Sequence, residues 1–333
     1  MDKAFFPLDR QLGLTEESGF SPEFARQMVW LSGLMPYSQS VAVMERIGER
    51  HISASTTWRL VQAYGPRLSE QVQAQRAAVN IEHIELPDAR DDHDQRKAVS
   101  MDGGMVNIRQ EGYKEMKVGA VFDVVSRLER DPHTQDWVEM AHGVNVHYTA
   151  VLGSKDDFQP ALWALAVDHN IPTARHCSVV ADGALWIWDV ADQVCPHAQF
   201  VVDWFHAVDH LSQAVHVLFP HPDDHAKRKR WLKRYKDHLY NGRVQLIIRA
   251  LHRYGHPQLA TYFERYSQYM HYRTFRDAGL PIGSGTVESG VKQFKQRLCG
   301  TGMRWNKANA EHMLTIRTAI LSDDFDALWD RAA

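Results

Sequence analysis

The first hundred residues carry apolar positions at helical spacing, interrupted by turn residues. Ser21-Pro22-Glu23 combines a capping serine, a proline at the first helical position and an early acid, which predicts a helix start. Ser53 or Ser55 opens a later helix, and Gly65-Pro66 predicts its end. The pattern therefore predicts short helices separated by turns.

The helices over 38–65 resemble a helix-turn-helix unit, in which the last helix enters the major groove of DNA. Arg59 lies on that last helix and is the candidate DNA contact. A purely structural bundle explains the same pattern equally well. We predict a helical, helix-turn-helix-like DNA-binding domain over residues 1–81 and, from its density of charges, a linker over 82–97.

From residue 98 the pattern changes to short apolar or alternating runs typical of strands. The predicted strands span 98–101, 116–125, 144–152, 177–181 and 199–202. Three strands at hairpin spacing followed by alternating helices and strands is a ribonuclease-H-like α/β order. We assign this core to residues 98–219 and 281–322, with an all-helical insertion over 220–280.

Composition narrows the class of protein. A chain of 333 residues, 44% of them hydrophobic, is long enough to bury one large core or two to three small ones. No apolar run approaches the roughly 18 residues of a membrane span, and the first residues lack a signal-peptide pattern. Three cysteines without a C-x-x-C pair favour a reducing cytoplasm over a disulfide or zinc framework.

The net charge of −3 conceals an uneven distribution. Residues 101–220 hold 7 Lys and Arg against 16 Asp and Glu, whereas residues 221–333 hold 20 against 11. This separation suits a protein that holds a divalent metal in one part and a polyanion in another. An unevenly charged solvated surface is the alternative interpretation.

Three carboxylates stand out by position. Asp102 and Asp182 each follow a predicted strand and precede a glycine, and Glu288 begins a helix after the glycine-rich turn 281–285. Strand ends are where an α/β sheet presents its reactive groups. Converging carboxylates of this kind hold two Mg²⁺ ions roughly 3.5–4 Å apart. Each Asp-Gly taken alone is better explained as a turn; the matched pair together with Glu288 favours the metal site.

Five motifs resemble the DDE transposases of bacterial insertion sequences, most closely the Kra-type group, which is distantly similar to Mutator-like transposases. They are Ser-Met-Asp-Gly at 100–103, Val-Ala-Asp-Gly-Ala-Leu-Trp-Ile at 180–187, Val-Asp-Trp-Phe-His at 202–206, Gly-Ser-Gly-Thr-Val-Glu-Ser-Gly at 283–290 and Gly-Met-Arg-Trp at 302–305. The resemblance covers about residues 96–322. The spacing is 80 residues from Asp102 to Asp182 and 106 more to Glu288, which leaves room for a helical insertion.

The resemblance implies a ribonuclease-H-like nuclease core in which Asp102, Asp182 and Glu288 bind two Mg²⁺ ions, with Mn²⁺ as a substitute. Asp203 and His206 resemble the accessory Asp-x-x-His motif of the Mutator-like group. His206 and His210 have a spacing that zinc sites use, but the sequence between them lacks the glutamate of a zinc-protease motif, so zinc is not expected. Since related proteins often have a longer N-terminal region, we expect a shortened variant.

Basic residues beyond the acids are candidate DNA contacts. From Lys292 to Lys307 the chain holds no acid that would pair with them, which favours phosphate contacts over a solvated helix face. The candidates in this region are Lys292, Lys295, Arg297, Arg304 and Lys307. A second, less specific set is the run Lys227, Arg228, Lys229 and Arg230.

The predicted function is that of an insertion-sequence transposase, which cleaves phosphodiester bonds at the element ends and transfers the strand to target DNA. Double-stranded DNA is the expected partner, a homo-oligomer is expected because two ends are joined, and the nucleoid in the cytoplasm is the expected location. The alternatives are a catalytically silent DNA-binding regulator derived from a transposase and a structure-specific nuclease.

Overall fold

The computed structural model describes residues 20–79 and 95–332. Residues 1–19 and 80–81 of the predicted N-terminal domain and residues 82–94 of the predicted linker lie outside the described residues. The predicted end of the linker at residue 97 is wrong, because Arg96 and Lys97 belong to the first strand of the sheet. The helices are α1 (Pro22–Leu34), α2 (Tyr37–Gly48), α3 (Ala54–Ala78), α4 (Lys155–Asp168), α5 (Leu185–Val194), α6 (Trp204–Leu218), α7 (His225–Tyr240), α8 (Val244–Arg253), α9 (Pro257–Tyr266), α10 (Tyr272–Asp277), α11 (Gly285–Leu298), α12 (Lys307–Leu321) and α13 (Phe325–Ala332). The strands are β1 (Arg96–Ile108), β2 (Gly112–Arg130), β3 (Trp137–Leu152), β4 (His176–Ala181) and β5 (Gln199–Val202).

The caps predicted for the first helices form as expected. Ser21 accepts the backbone N–H of Phe24 at 3.3 Å, and Ser53 accepts that of Thr56 at 3.0 Å. The predicted stop at Gly65-Pro66 is wrong, because α3 continues to Ala78. A Cβ on Gly65 would lie 2.9 Å from the Cβ of His312, so this glycine permits close packing on α12.

The strands form one five-stranded mixed sheet in the order β3-β2-β1-β4-β5. β1 pairs antiparallel with β2, and β2 with β3, whereas β4 and β5 run parallel to β1. This mixed α/β sheet with its helices is compatible with a ribonuclease-H-like core. β5 has its predicted bounds, and β4 begins one residue early.

The predicted end of β1 at residue 101 is wrong. The strand continues to Ile108 because β2 pairs with it along its whole length, Ile108 opposite Gly112. Its far end is also held by Trp305, whose N–H donates to Asn107 O at 3.0 Å and whose carbonyl accepts the N–H of Arg109 at 2.8 Å. β2 and β3 likewise extend well beyond the predicted runs.

Helices cover both faces of the sheet. On one face, a core that includes Met28, Val118, Phe294 and Met313 joins α1, the sheet, α11 and α12. On the other face, Leu162 of α4 and further residues of α5 bury residues of β1 and β4. The helices α7–α10 share a third core with α6 and β5. None of the helices within residues 20–79 and 95–332 has both the length and the apolar character of a membrane span.

Candidate active site

The strand register brings Asp102 and Asp182 to the same level of neighbouring strands. Ser100 of β1 lies opposite Val180 of β4. Asp102 comes two residues after Ser100, and Asp182 comes two residues after Val180. Asp182 directly follows the end of β4, as predicted, whereas Asp102 lies inside β1 opposite Val118. Because side chains alternate along parallel strands, both aspartates project from the same face of the sheet.

Asp102 is half-buried, and its pKa is affected by the charges of both other candidate acids. Its Oδ1 accepts the backbone N–H of Gly103 at 2.6 Å. Burial is the largest effect that raises the pKa of Asp102, and the carboxylates of Asp182 and Glu288 raise this pKa further. Lys295 opposes them. The three carboxylates predicted to act together are thus electrostatic neighbours.

A lysine of α11 lies over the strand beside Asp102. A Cβ on Gly104 would come within 2.9 Å of the Cε of Lys295, so the lysine stem crosses the sheet where this glycine has no side chain. Lys295 is solvent-exposed, and its positive charge lowers the pKa of Asp102. The site therefore combines crowded carboxylates with one nearby cation.

The loop that carries Asp182 is held by α9. The side-chain Oδ1 of Asp182 accepts the N–H of Ala184 at 2.8 Å, and Gly183 adopts a φ of +100°, which favours glycine. Tyr262 donates to the carbonyl of Asp182 at 3.4 Å, and Tyr266 donates to that of Gly183 at 2.5 Å. The helical segment thereby fixes the backbone on which Asp182 stands.

Asp203 is buried and serves as an anchor. It is 1% exposed, and its Oδ1 caps α6 by accepting the N–H of His206 at 2.6 Å. Its Oδ2 accepts both the N–H of Ser284 at 2.5 Å and the hydroxyl of Ser284 at 2.8 Å. Burial raises the pKa of Asp203, and these hydrogen bonds partly offset that effect.

Glu288 lies in the first turn of α11, half-buried, with one partner on each oxygen. The hydroxyl oxygen of Ser284 lies 3.2 Å from Oε1, within hydrogen-bond distance, and the ammonium of Lys292 lies 3.7 Å from Oε2. Sequence reasoning missed Ser284. Its position four residues before Glu288, one helical turn away, was the available signal.

His206 and His210 form an aromatic cluster with Tyr262. The two imidazole rings are 5.4 Å apart, and His210 stacks on Tyr262 at 3.6 Å. Burial, followed by the charge of His206, lowers the pKa of His210. His206, His210 and Asp182 line a cleft of about 570 Å³ together with Arg265.

The donor set fits a hard divalent cation in chemistry. All three candidate ligands are carboxylates, which Mg²⁺ prefers, and a cation among them would offset the burial and the repulsion that raise the pKa of Asp102. Within residues 20–79 and 95–332, however, no three His, Cys, Asp or Glu side chains lie close enough together to hold a metal ion. Asp182 and Glu288 influence the pKa of Asp102, but the three carboxylates are not close enough together to form a metal site.

Most of the predicted DNA contacts are accessible at the surface. These are Arg59, Lys227, Lys229, Arg230, Lys292, Lys295, Arg304 and Lys307. Arg228 is half-buried and donates to the carbonyls of Phe219 and Pro222, at 3.3 and 3.1 Å.

Arg297 is a correction to the predicted DNA surface. It is 1% exposed, and its Nε donates to the carbonyl of Ser32 at 2.5 Å. Its guanidinium lies 5.3 Å from the ring of Tyr37 and 5.1 Å from that of Trp305. The side chain therefore joins α11 to the N-terminal helices and is not available to DNA.

A transposase family model, of the ISL3 group of DDE transposases, matches residues 169–300. The match supports an insertion-sequence transposase of the DDE type, a class that acts on DNA and typically uses divalent metal. It covers less than half of the chain, and it includes Asp182, Asp203 and Glu288 but not Asp102. It does not confirm the Kra-type or Mutator-like assignment. No curated protein matches the chain.

Proposed function

We propose that this chain is a DNA transposase of an insertion sequence, in which Asp102, Asp182 and Glu288 form the DDE site. The observation that carries the proposal is the electrostatic proximity of these three carboxylates, two of them inside the segment that matches the transposase family. Asp203 and His206 are accessory residues. The ribonuclease-H-like core with its helical insertion over 220–280 provides the framework.

The three carboxylates would hold two Mg²⁺ ions, or Mn²⁺ in their place. Bound there, the ions supply activation of the attacking oxygen and stabilisation of the leaving oxygen of an in-line displacement. The chain would supply the rest: Asp102 in β1 and Asp182 just after β4 are at one level of the sheet, and α11 carries Glu288, whose charge raises the pKa of Asp102. Lys295 offsets part of their negative charge.

The same arrangement serves both halves of transposition. Water is the nucleophile when the element end is cut, and the liberated 3′-hydroxyl is the nucleophile when that end joins target DNA. No covalent bond to the protein is required. Positioning of double-stranded DNA falls to the exposed basic residues of α7 and α11–α12 and to Arg59 of α3. Two ends must be joined, so we propose a homo-oligomer.

The test is cleavage and joining of labelled DNA that carries the ends of the source element, with Mg²⁺ or Mn²⁺. Wild type is compared with Glu288→Gln, and Asp192→Asn on the exposed surface of α5 is the matched carboxylate-to-amide control. We expect metal-dependent nicking and joining in wild type and in the control, with loss of both in Glu288→Gln.

Each other outcome identifies a different protein. DNA binding without chemistry in any variant would contradict the proposal and indicate a transposase-derived regulator. Cutting without joining would indicate a nuclease. Activity that survives in Glu288→Gln would remove Glu288 from the site.

A further inference from the structure

The turn before α11 is fastened to the start of α6. The carbonyl of Ile282 accepts the N–H of Trp204 at 2.8 Å, and Ser284 makes two hydrogen bonds to the carboxylate of Asp203. Ser284 is 5% exposed and Asp203 is 1% exposed. Water therefore does not compete with these contacts, and the turn has one defined position relative to β5 and α6.

The hydroxyl of Ser284 lies between two carboxylates and has only one proton to donate. Its oxygen is 2.8 Å from Oδ2 of Asp203 and 3.2 Å from Oε1 of Glu288. The same Oδ2 already accepts the backbone N–H of Ser284 at 2.5 Å. The backbone N–H keeps Ser284 attached to Asp203 whichever way the hydroxyl points, so the single hydroxyl proton can turn from Asp203 to Glu288 without releasing the turn.

Glu288 has a competing partner on its other side. Lys292 is 77% exposed in its side chain and follows Glu288 by four residues, so the ion pair at 3.7 Å is a loose surface contact. A carboxylate held only by such a pair rotates freely. The part-buried contact with Ser284, at 3.2 Å, fixes one oxygen of Glu288.

We propose that Ser284 is the positioning residue of Glu288: its hydroxyl, placed beside Glu288 by the backbone hydrogen bond from Ser284 to Asp203, orients the Glu288 carboxylate for a divalent cation shared with Asp102 and Asp182. This inference rests on the proposed function and deepens it. It also gives Asp203 a role: a buried carboxylate that already accepts two backbone N–H groups acts through Ser284 and not as a metal ligand. Partners of this kind typically change metal affinity roughly 10–100-fold.

The experiment compares wild type with Ser284→Ala, which removes the hydroxyl, and Ser284→Thr, which keeps it. Mn²⁺ binding to the full chain without DNA is followed by the electron paramagnetic resonance signal of the free ion. We expect Ser284→Ala to weaken Mn²⁺ binding by about tenfold or more, and Ser284→Thr to restore most of the affinity. Ser284→Cys, with a weak donor of similar size, should fall between them.

Two further measurements separate positioning from structural support. Urea unfolding establishes that each variant is folded, and binding of labelled DNA in the absence of metal reports on the rest of the surface. A positioning role predicts unchanged DNA affinity alongside weaker Mn²⁺ binding. Parallel losses of Mn²⁺ affinity, DNA affinity and stability in the alanine and threonine variants would overturn it.

The two proposals fail in different ways. Ser284→Ala with the Mn²⁺ affinity of wild type would overturn the role of Ser284 and leave the transposase proposal to the cleavage assay. If Glu288→Gln abolishes cleavage while Ser284→Ala changes neither Mn²⁺ binding nor cleavage, the role of Ser284 is likewise overturned and the transposase proposal stands. Wild type that binds no Mn²⁺ would overturn the positioning role directly.

Discussion

Three aspartates at equivalent heights on neighbouring strands have three different environments. Asp102 is half-buried beside two other acids, Asp182 caps the turn after its own strand, and Asp203 is buried under three hydrogen-bond donors. In the sequence, each of them directly follows a predicted strand. What distinguishes them is the set of partners that the fold brings to each carboxylate, and this decides which of them remains open to a cation.

Replacing Asp102 by asparagine should stabilise the protein. The pKa of Asp102 is raised above 3.8, so the folded state holds the proton more tightly than the unfolded state. Stability is therefore lost as pH rises through the interval between the unfolded and the folded pKa. We expect Asp102→Asn to raise the melting temperature at about pH 7, with a gain that shrinks towards about pH 4.

Thermal unfolding without divalent metal, over a series of pH values, measures this difference. A lower melting temperature for Asp102→Asn at neutral pH would show that burial and the neighbouring acids do not destabilise the charged Asp102. The same variant should be inactive in the cleavage assay, so that stability and activity change in opposite directions.

The same substitution at Asp203 should have the opposite effect on stability. An asparagine there retains one acceptor oxygen, but its amide would face the N–H of Ser284 or of His206. A buried donor left unsatisfied costs roughly 1–3 kcal/mol, so Asp203→Asn should reduce the free energy of unfolding by about that amount. Urea unfolding measures it, and an unchanged midpoint would contradict the anchoring role.

Arg297 shows how a residue-level prediction failed although the signal was present. Lys292 and Lys295 lie four and seven residues after Glu288, on the same side of α11. Arg297 lies nine residues after Glu288, which at about 100° per residue is the opposite side of the helix. That side is buried against α1 and α2 through Ser32 and Tyr37. Charge alone suggested DNA, and helical periodicity pointed to the core.

Replacing Arg297 should therefore affect folding. Arg297→Ala loses a buried charged hydrogen bond and two ring contacts, and we expect a loss of roughly 2–4 kcal/mol in the free energy of unfolding. Arg297→Lys should recover little, since an ammonium lacks the planar group that lies over two rings. Urea unfolding of both variants is the measurement; wild-type stability with weaker DNA binding would restore the original prediction.

At the scale of elements, the sequence predicted types better than ends. The order of strands and helices in the core followed from periodicity and turn residues, and β5 has its predicted limits. The ends of α3 and β1 were wrong because distant partners set them: α12 accommodates Gly65, and β2 with Trp305 extends β1. Contacts between segments far apart in the chain leave no local pattern.

Two glycines of α11 form a matched pair that tests how this helix packs on the sheet. A Cβ on Gly290 would lie 2.4 Å from the ring of Tyr148 in β3, whereas Gly285, in the same helix, has nothing within 4 Å. Gly290→Ala should cost roughly 1–3 kcal/mol by forcing α11 away from the sheet, and with it Glu288. Gly285→Ala should be neutral or slightly stabilising.

Urea unfolding and the Mn²⁺ titration together check this pair. We expect Gly290→Ala to lower both the free energy of unfolding and the affinity for Mn²⁺, since Glu288 lies two residues before Gly290. Equal effects of the two substitutions would show that the contact with Tyr148 does not determine where α11 lies.

At the scale of the whole molecule, a net charge of −3 coexists with a basic C-terminal third. Arg304 and Lys307 are exposed near the start of α12, and the phosphate contacts proposed for them are sensitive to salt. Arg304→Ala should weaken DNA binding and reduce the slope of log affinity against log salt by about 1.

Titration of labelled DNA at several salt concentrations gives this slope. Arg127→Ala, which removes an exposed arginine of β2 that has no predicted DNA role, is the control and should leave the slope unchanged. A change of the same size in both variants would mean that only the overall charge matters.

The buried arginines between α1 and the C-terminal helices have a geometric consequence. Arg297 of α11 donates to Ser32, and Arg317 of α12 donates to Gly33 at 3.3 Å, so both grip the C-terminal end of α1. Tyr64 of α3 stacks on Trp329 of α13 at 4.6 Å. If α3 recognises the element end, these contacts hold the recognition helix at a fixed distance from the site that cuts the DNA. The cut should then fall a fixed number of base pairs from the recognised sequence, and moving that sequence along the DNA should move the cut with it, whatever bases lie between.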